Sequence, residues 1–300
     1  MRSPNRLHDR RSFFKYMSAD VARLVLTNCT LRWSSPILFN DPFDVPRELS
    51  FGITGEALHL AVGRKLTQLI ESPPDDTTQM DPTLRVVVET VKRGIPAKLK
   101  AEMLSGLQDI GREERSEGGG MDAMRNLWRR LLPDHRILCL TESAAHTAMW
   151  YHYADKYRGI VLEFDCIDEL ESPWLIAKPV TYSEKKPQIY SAEGWAEIMC
   201  LRQDLAVKAL LDVATYTKSS DWKYESEWRI ASSKRPADTG NFTDYKFDRR
   251  ELSAVYFGPL ISPEARLSVS LAAKAFPHAK LWDVSIGMSR ELVFRAHAHA

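Results

Sequence analysis

Residues 12–16 (SFFKY) make a short, mainly aromatic run, and the spacing shifts to an apolar residue every three or four positions over SADVARLVLTN (18–28). The first pattern predicts a strand and the second a helix capped by Ser18 or Asp20. TLRWSS (30–35) alternates, as a second strand. In the following PILFNDPFD, Pro36, Asn40, Asp41 and Pro42 prescribe a tight loop, with Phe39 and Phe43 available to pack it. Residues 53–132 read as a helical block. Its two breaks, ESPPDDTTQMDP (71–82) and REERSEGGGMD (112–122), carry the proline, glycine and charge expected of mobile surface loops.

β character returns in RILCL (136–140), RGIVLEFD (158–165), WLIAKPVTYS (174–183), YESEWRIAS (224–232), LSAVYFGP (252–259) and AKLWDVSIG (279–287). Helical spacing falls between them, in AAHTAMWYHYADK (144–156), over residues 191–218, and in SPEARLSVSLAAKAF (262–276). No repeat or extended linker interrupts the chain. The expectation is one α+β domain over 1–300, with a central, mostly antiparallel β core and a helical insertion at 53–132.

Composition narrows the function classes. A chain of 300 residues buries enough apolar surface to fold without disulfides or metal, so stability alone does not explain its unusual residues. The 41 basic and 40 acidic side chains leave a formal charge of +1, which gives no general attraction for nucleic acid or anionic membrane. Cys29, Cys139, Cys166 and Cys200 form no C-x-x-C pair. The basic N-terminus lacks the apolar run of a signal peptide, and no segment is apolar for the ~18 residues of a membrane span. A cytoplasmic protein with no membrane partner and no metal is expected, its closing RAHAHA a frayed end.

Three stretches could carry chemistry. SDWKYESEWRI (220–230) places Glu225 and Glu227 two apart among Trp222, Tyr224, Trp228 and Arg229. On a continuous strand the two carboxylates and Arg229 share one face, with the carboxylates about 7 Å apart, while Tyr224, Ser226 and Trp228 point the other way. That arrangement fits an exposed charged ladder, or a sheltered Glu227 oriented by Arg229. FNDPFD leaves Asp44 free to point at a ligand. In TESAAHTAMWYHYADKYRG, helical spacing sets His146, Met149, His152 and Tyr153 on one side, a face that suits a core. The chain has no P-loop, dinucleotide-binding glycine motif, nucleophile elbow or H-E-x-x-H pair.

FFKYMS, LRWSSPILFNDPFD, ILCLTES, AMWYHYADKYRGIVLEFD, WKYESEWRI and VYFGP occur in the order seen in a bacterial family known as a domain of unknown function, DUF2971, which the chain resembles over about residues 13–260. The family more often shows serine at the threonine of LTES. The layout also resembles, more distantly, the ADP-ribosyltransferase fold. That likeness implies a transferase or glycohydrolase that binds or cleaves NAD in stress or defence, with Glu227 as the catalytic carboxylate. It matches Lys15 and Tyr16 to the first strand, Thr141 and Ser143 to the second element, and Glu225-Ser226-Glu227 to an E-x-E motif. Tyr16, Trp150 or Tyr153 would stack on nicotinamide, and Lys15 or Arg229 would meet the pyrophosphate. Asn40, Asp41 and Asp44 complete the expected NAD-binding set; the first strand lacks the superfamily's His or Arg.

Two rival readings stand beside this one. A non-enzymatic module would use the same aromatic and acidic cleft to hold a small molecule or peptide. A metal-dependent nuclease would gather Asp41, Asp44, Glu225 and Glu227 around a divalent ion. A small molecule or nucleotide is the expected partner; the acceptor macromolecule is left open, and nucleic acid is possible but not indicated.

Overall fold

The computed structural model describes residues 2–109, 119–184 and 191–297. The chain divides into two compact units, one of Met1–Asn40, Pro133–Tyr182 and Lys218–Ala300, the other of Asp41–Leu132 and Ser183–Thr217. Both helices and sheet are extensive, and the sheet is mostly antiparallel, so the fold is α+β.

The first unit begins with β1 (Ser12–Met17), α1 (Ala19–Asn28) and β2 (Thr30–Ser34). Ser18 caps α1 by accepting from the Val21 N–H, and Cys29 ends it in a left-handed conformation, its N–H bonded to the Val25 carbonyl. After α2 (Gly55–Glu71), α3 (Pro82–Arg93), α4 (Ala97–Asp109) and α5 (Gly119–Leu131), which belong to the second unit, come β3 (His135–Thr141), α6 (Thr147–Tyr153) and β4 (Ile160–Asp165). Two short strands follow, β5 (Lys178–Pro179) and β6 (Thr181–Ser183), then α7 (Ala192–Met199), α8 (Gln203–Tyr216) and β7 (Thr217–Ser219). The chain closes with β8 (Glu227–Ser233), β9 (Phe242–Lys246), β10 (Leu252–Phe257), α9 (Pro263–Ala273), β11 (Lys280–Ile286) and β12 (Leu292–Ala296).

Among the described residues the first unit holds a ten-stranded sheet in the order β12-β11-β10-β4-β1-β3-β2-β9, with β8 on β3 and β5 on β8. Only the β10–β11 pair is parallel, joined across α9 as a parallel pair requires. The alternation of β1 decides its two faces. Phe13 and Met17 enter the larger core with Leu138, Leu140, Ile160, Leu162 and Ile230. Phe14 and Tyr16 join Met149, Trp150 and Val161 on the side of α6.

The sheet branches at β3. Strand β8 pairs with it along its full length, from His135–Ser233 to Thr141–Glu227. By contrast, β1 meets it at Phe14–Thr141 and β2 at Ser34–Ile137. Between those two points the Cys139 carbonyl accepts from the Lys15 ammonium at 2.7 Å, which supplies a donor where the ladder has separated.

Several expectations from alternation are corrected. The strand expected from Tyr224 starts three residues later: Tyr224 and Glu225 end a 3₁₀ helix, Ser220–Glu225, and Ser226 takes a left-handed φ of 45° before β8 begins at Glu227. Residues 174–183 are not one strand but a 3₁₀ turn, Pro173–Ile176, followed by β5 and β6. The helix expected over 191–218 is two helices and a strand. Phe43 is exposed and packs nothing. The C-terminal stretch is tied in through Ala296, which pairs with Trp282, and His297 reaches Asp283; residues 298–300 lie outside the described residues.

In the second unit α2 packs on α7 through Ala61, Ala192 and Ala196, and Leu69, Val88 and Cys200 form a further core. The 71–82 break is fastened rather than loose. Thr77 is buried and donates to Glu89 at 2.6 Å, Asp76 accepts from Thr78, and Met80 bridges to Leu201. Gly119 and Gly120 open α5, and the preceding part of REERSEGGGMD lies outside the described residues.

In the first unit, Asp155, Lys156 and Tyr157 take consecutive left-handed conformations after α6, an arrangement costly for residues with a Cβ. Gly159 lets this turn lie against β1, since a Cβ there would fall on the Met17 carbonyl oxygen and 2.8 Å from the Ala154 carbonyl. Gly159→Ala should therefore lower the free energy of unfolding by about 3 kcal/mol. Gly106→Ala, on the exposed side of α4 with nothing within 4 Å, should raise it by about 0.5–1 kcal/mol. Urea denaturation of both variants checks the contrast.

Candidate functional site

At the start of β8 the chain buries four charges together. Glu227 is 5% exposed, Glu225 2%, and Lys218 and Arg229 are likewise buried. Arg229 grips Glu227 with two parallel hydrogen bonds, Nε to Oε1 at 2.7 Å and Nη2 to Oε2 at 2.9 Å. Lys218, on β7, donates to Glu225 Oε2 at 2.6 Å and to Glu227 Oε2 at 3.0 Å. Two carboxylates thus share one ammonium, and the quartet is neutral as a whole.

The surrounding elements fix this geometry. The Thr141 hydroxyl at the end of β3 donates to the Glu225 carbonyl at 2.6 Å, holding the 3₁₀ turn against the sheet. Left-handed Ser226 then reverses the chain, so Glu225 reaches the same ammonium as Glu227 without being on the strand. Tyr182 accepts the Glu227 N–H at 2.8 Å, and Tyr153 on α6 donates to Glu225 Oε1 at 2.6 Å. The Trp222 ring lies 5.0 Å from the Lys218 ammonium, and the Phe39 ring 5.6 Å from the Arg229 guanidinium, distances that suit cation–π attraction.

The two carboxylates are driven apart in proton affinity. Burial pushes Glu227 up, but the Arg229 charge and hydrogen bonds, with Lys218, hold it well below the usual carboxylate range. For Glu225 burial wins: its proton affinity is raised despite Lys218, with the Glu227 charge adding to the rise. Burial, then Glu225, raises the Tyr153 phenol, and burial lifts Tyr182 to about 12. Burial and the nearby Glu227 charge raise the Cys139 thiol, which disfavours its thiolate.

The other residues singled out in the sequence are placed as follows. Lys15 is half-buried, with its ammonium on the Cys139 carbonyl. Tyr16 is buried; its hydroxyl donates to the Ser143 carbonyl at 2.9 Å and accepts from the His146 N–H. Trp150 is wholly buried against Tyr16, with its indole N–H on the Ala144 carbonyl. Neither ring has a face open for nicotinamide, which corrects that expectation. Arg229 is enclosed and committed to Glu227, so it does not offer itself to a pyrophosphate. The Ser143 hydroxyl accepts from the Ala145 N–H. Asn40 is exposed at the end of the first unit, whereas Asp41 and Asp44 belong to the second. There Asp41 accepts from the Phe43 N–H, and Asp44 is buried rather than projecting.

Sequence reading missed Lys218 and Tyr182. The only signal for Lys218 was a lysine set among β-favouring residues in TYTKSS, just past a helical run. Among the described residues no group of three or more His, Cys, Asp or Glu could hold a metal ion.

A separate cavity of about 610 Å³ opens at the start of β1, lined by His8, Arg10, Arg11, Phe14, Glu142 and Trp228 among others. Trp228 alternates with Glu227 on β8, so the two side chains leave opposite faces of the sheet. Arg10 lies over Trp228 and pairs with Glu142, and the Trp228 indole donates to Glu142 at 2.7 Å.

Residues 149–230 match the model of a family described as a protein of unknown function, DUF2971. The matched span is narrower than the resemblance traced over 13–260, yet it contains Tyr153, Lys218, Glu225, Glu227 and Arg229. No curated protein and no solved structure matches the chain. No helix among the described residues is long and apolar enough to cross a membrane.

Replacing Arg229 by Met leaves buried Glu227 with only the ammonium it shares with Glu225, and should cost about 3–5 kcal/mol. The acid dependence should differ between the two glutamates. The lowered proton affinity of Glu227 gives stability that is present above the ordinary value of about 4.5 and lost as pH falls below it. Glu225 has the opposite sign: its contribution is present below that value and lost as pH rises through its raised titration. Urea melts across a pH series should show wild type losing its advantage over Glu227→Gln in acid, and losing ground to Glu225→Gln as pH rises.

Proposed function

We propose that the quartet is the chemical centre of an enzyme acting on a small molecule, with NAD as the substrate to test first. The observation that carries this reading is the pair of buried carboxylates on one ammonium, with opposed proton affinities. Burying four charges is a poor route to stability, since desolvation offsets most of the attraction. Carboxylates set apart by their surroundings are instead how one site holds both a fixed anion and a proton-transferring group.

In this reading Glu227 remains ionised and opposes the positive charge that develops on the ribose as the bond from C1′ to the nicotinamide nitrogen breaks. The bonding pair leaves with nicotinamide. Water or an acceptor hydroxyl adds to C1′, and its proton passes to Glu225. Lys218 stands between the two acids and keeps them from repelling each other. Half-buried Tyr153 and Trp222 are the side from which substrate would approach.

Glu227→Gln and Glu225→Gln, each shown folded by a cooperative melt, should each reduce nicotinamide release by at least about 100-fold. Calorimetry with millimolar NAD should show binding to the wild type. Absence of both binding and nicotinamide release would end the NAD reading.

A second reading rests on the cavity at Arg10, Arg11 and Trp228, where two guanidinium groups and an indole suit a small anion carrying an aromatic ring. Nucleotide binding that Arg11→Ala abolishes and Glu227→Gln leaves unchanged would favour it.

A further inference from the structure

The two helices on the far side of the larger core carry an uncovered apolar strip. In α9 the inward residues are Val269 and Ala273, while Arg266 turns in to pair with Asp283 and cover the Phe257 ring. On the outward side Leu267 and Leu271 are 62% and 54% exposed. Helix α1 packs beside α9 and adds Val21 and Leu24, both about half exposed, and Leu260 lies just before α9 in the same state. Five such aliphatics on adjoining elements gather exposed apolar side chains that would otherwise be expected to lie scattered singly.

The charges that bracket the strip identify what covers it. Outward positions on α9 run Glu264, Leu267, Leu271, Lys274, at intervals of three, four and three residues, so all four lie along one line of the helix. Glu264 and Lys274 are both exposed. The line is its own complement when reversed. If a second α9 is laid antiparallel about an axis level with Val269, Leu267 falls opposite Leu271 of the second copy, and Glu264 falls opposite its Lys274. The opposite registration, with two parallel α9 helices, would set like charges against each other.

We propose that the occupant is a second copy of this chain, docked through an antiparallel α9 pair with α1 on either flank. The contact is isologous, as a closed twofold dimer requires. It is independent of the buried quartet and of any activity assigned to it. With four leucines at its centre and ion pairs only at its rim, the interface belongs to the small, reversible class of micromolar strength.

Sedimentation velocity on the full chain, from low micromolar to about millimolar, tests this directly. Wild type should pass from monomer to dimer across the series, and Leu271→Glu should weaken the association at least about 100-fold. Glu264→Lys and Lys274→Glu should each weaken it by about 5-fold, and the double exchange should restore it to within about 2-fold of wild type. A monomer at every concentration overturns the proposal. So does a dimer that Leu271→Glu leaves intact, or a double exchange no tighter than the singles.

Discussion

The ammonium of Lys218 touches both Glu225 and Glu227, and the geometry at the head of β8 depends on that shared contact. Without it, two carboxylates would meet in a low-dielectric interior and one would have to take a proton. With it, and with Arg229 closing on Glu227 from the other side, the group is neutral and each acid is differently placed. Glu227 lies between two cations. Glu225 has one cation and one phenol, too little to offset its burial.

Backbone arrangement is what allows the contact to form. The 3₁₀ turn and left-handed Ser226 bring Glu225 round to the ammonium, and Thr141 pins that turn to the last residue of β3. The same strand is where the sheet branches, with Lys15 capping a carbonyl that neither β1 nor β2 reaches. The polar side of β3 therefore carries the quartet while Leu138 and Leu140 on its other side fill the core. One short strand separates a costly electrostatic arrangement from the packing that holds it in place.

Much of the sheet was legible because short apolar runs such as RILCL and RGIVLEFD, and the alternation of TLRWSS, are what strands buried on two faces or one require. The Ser18 cap and the break at Gly159 were readable for local reasons of hydrogen bonding and space. The error at Tyr224–Ser226 arose because the alternation of YESEW is genuine but its first three residues are not strand; a left-handed serine gives no compositional sign of itself. The two-residue spacing put Glu227 and Arg229 on one strand face but fitted an exposed ladder as well as a sheltered pair; burial distinguishes the two. Lys218 was missed because its role is set by the fold, which brings a different element to the acids. Phe43 and Trp150 show the converse limit: the sequence names a large aromatic but not which way it faces.

The central claim is that Glu225 and Glu227, which share one lysine, are held in opposite protonation tendencies, by burial at Glu225 and by the Arg229 contact at Glu227. Carbon-13 NMR of the side-chain carboxyls, assigned through Glu225→Gln and Glu227→Gln and followed over a pH titration, measures this directly. The account predicts that Glu227 titrates below the ordinary glutamate value of about 4.5 and Glu225 above it. It also predicts that replacing Lys218 by Met pushes Glu225 higher still. Two carboxyls titrating together near the ordinary value would contradict it.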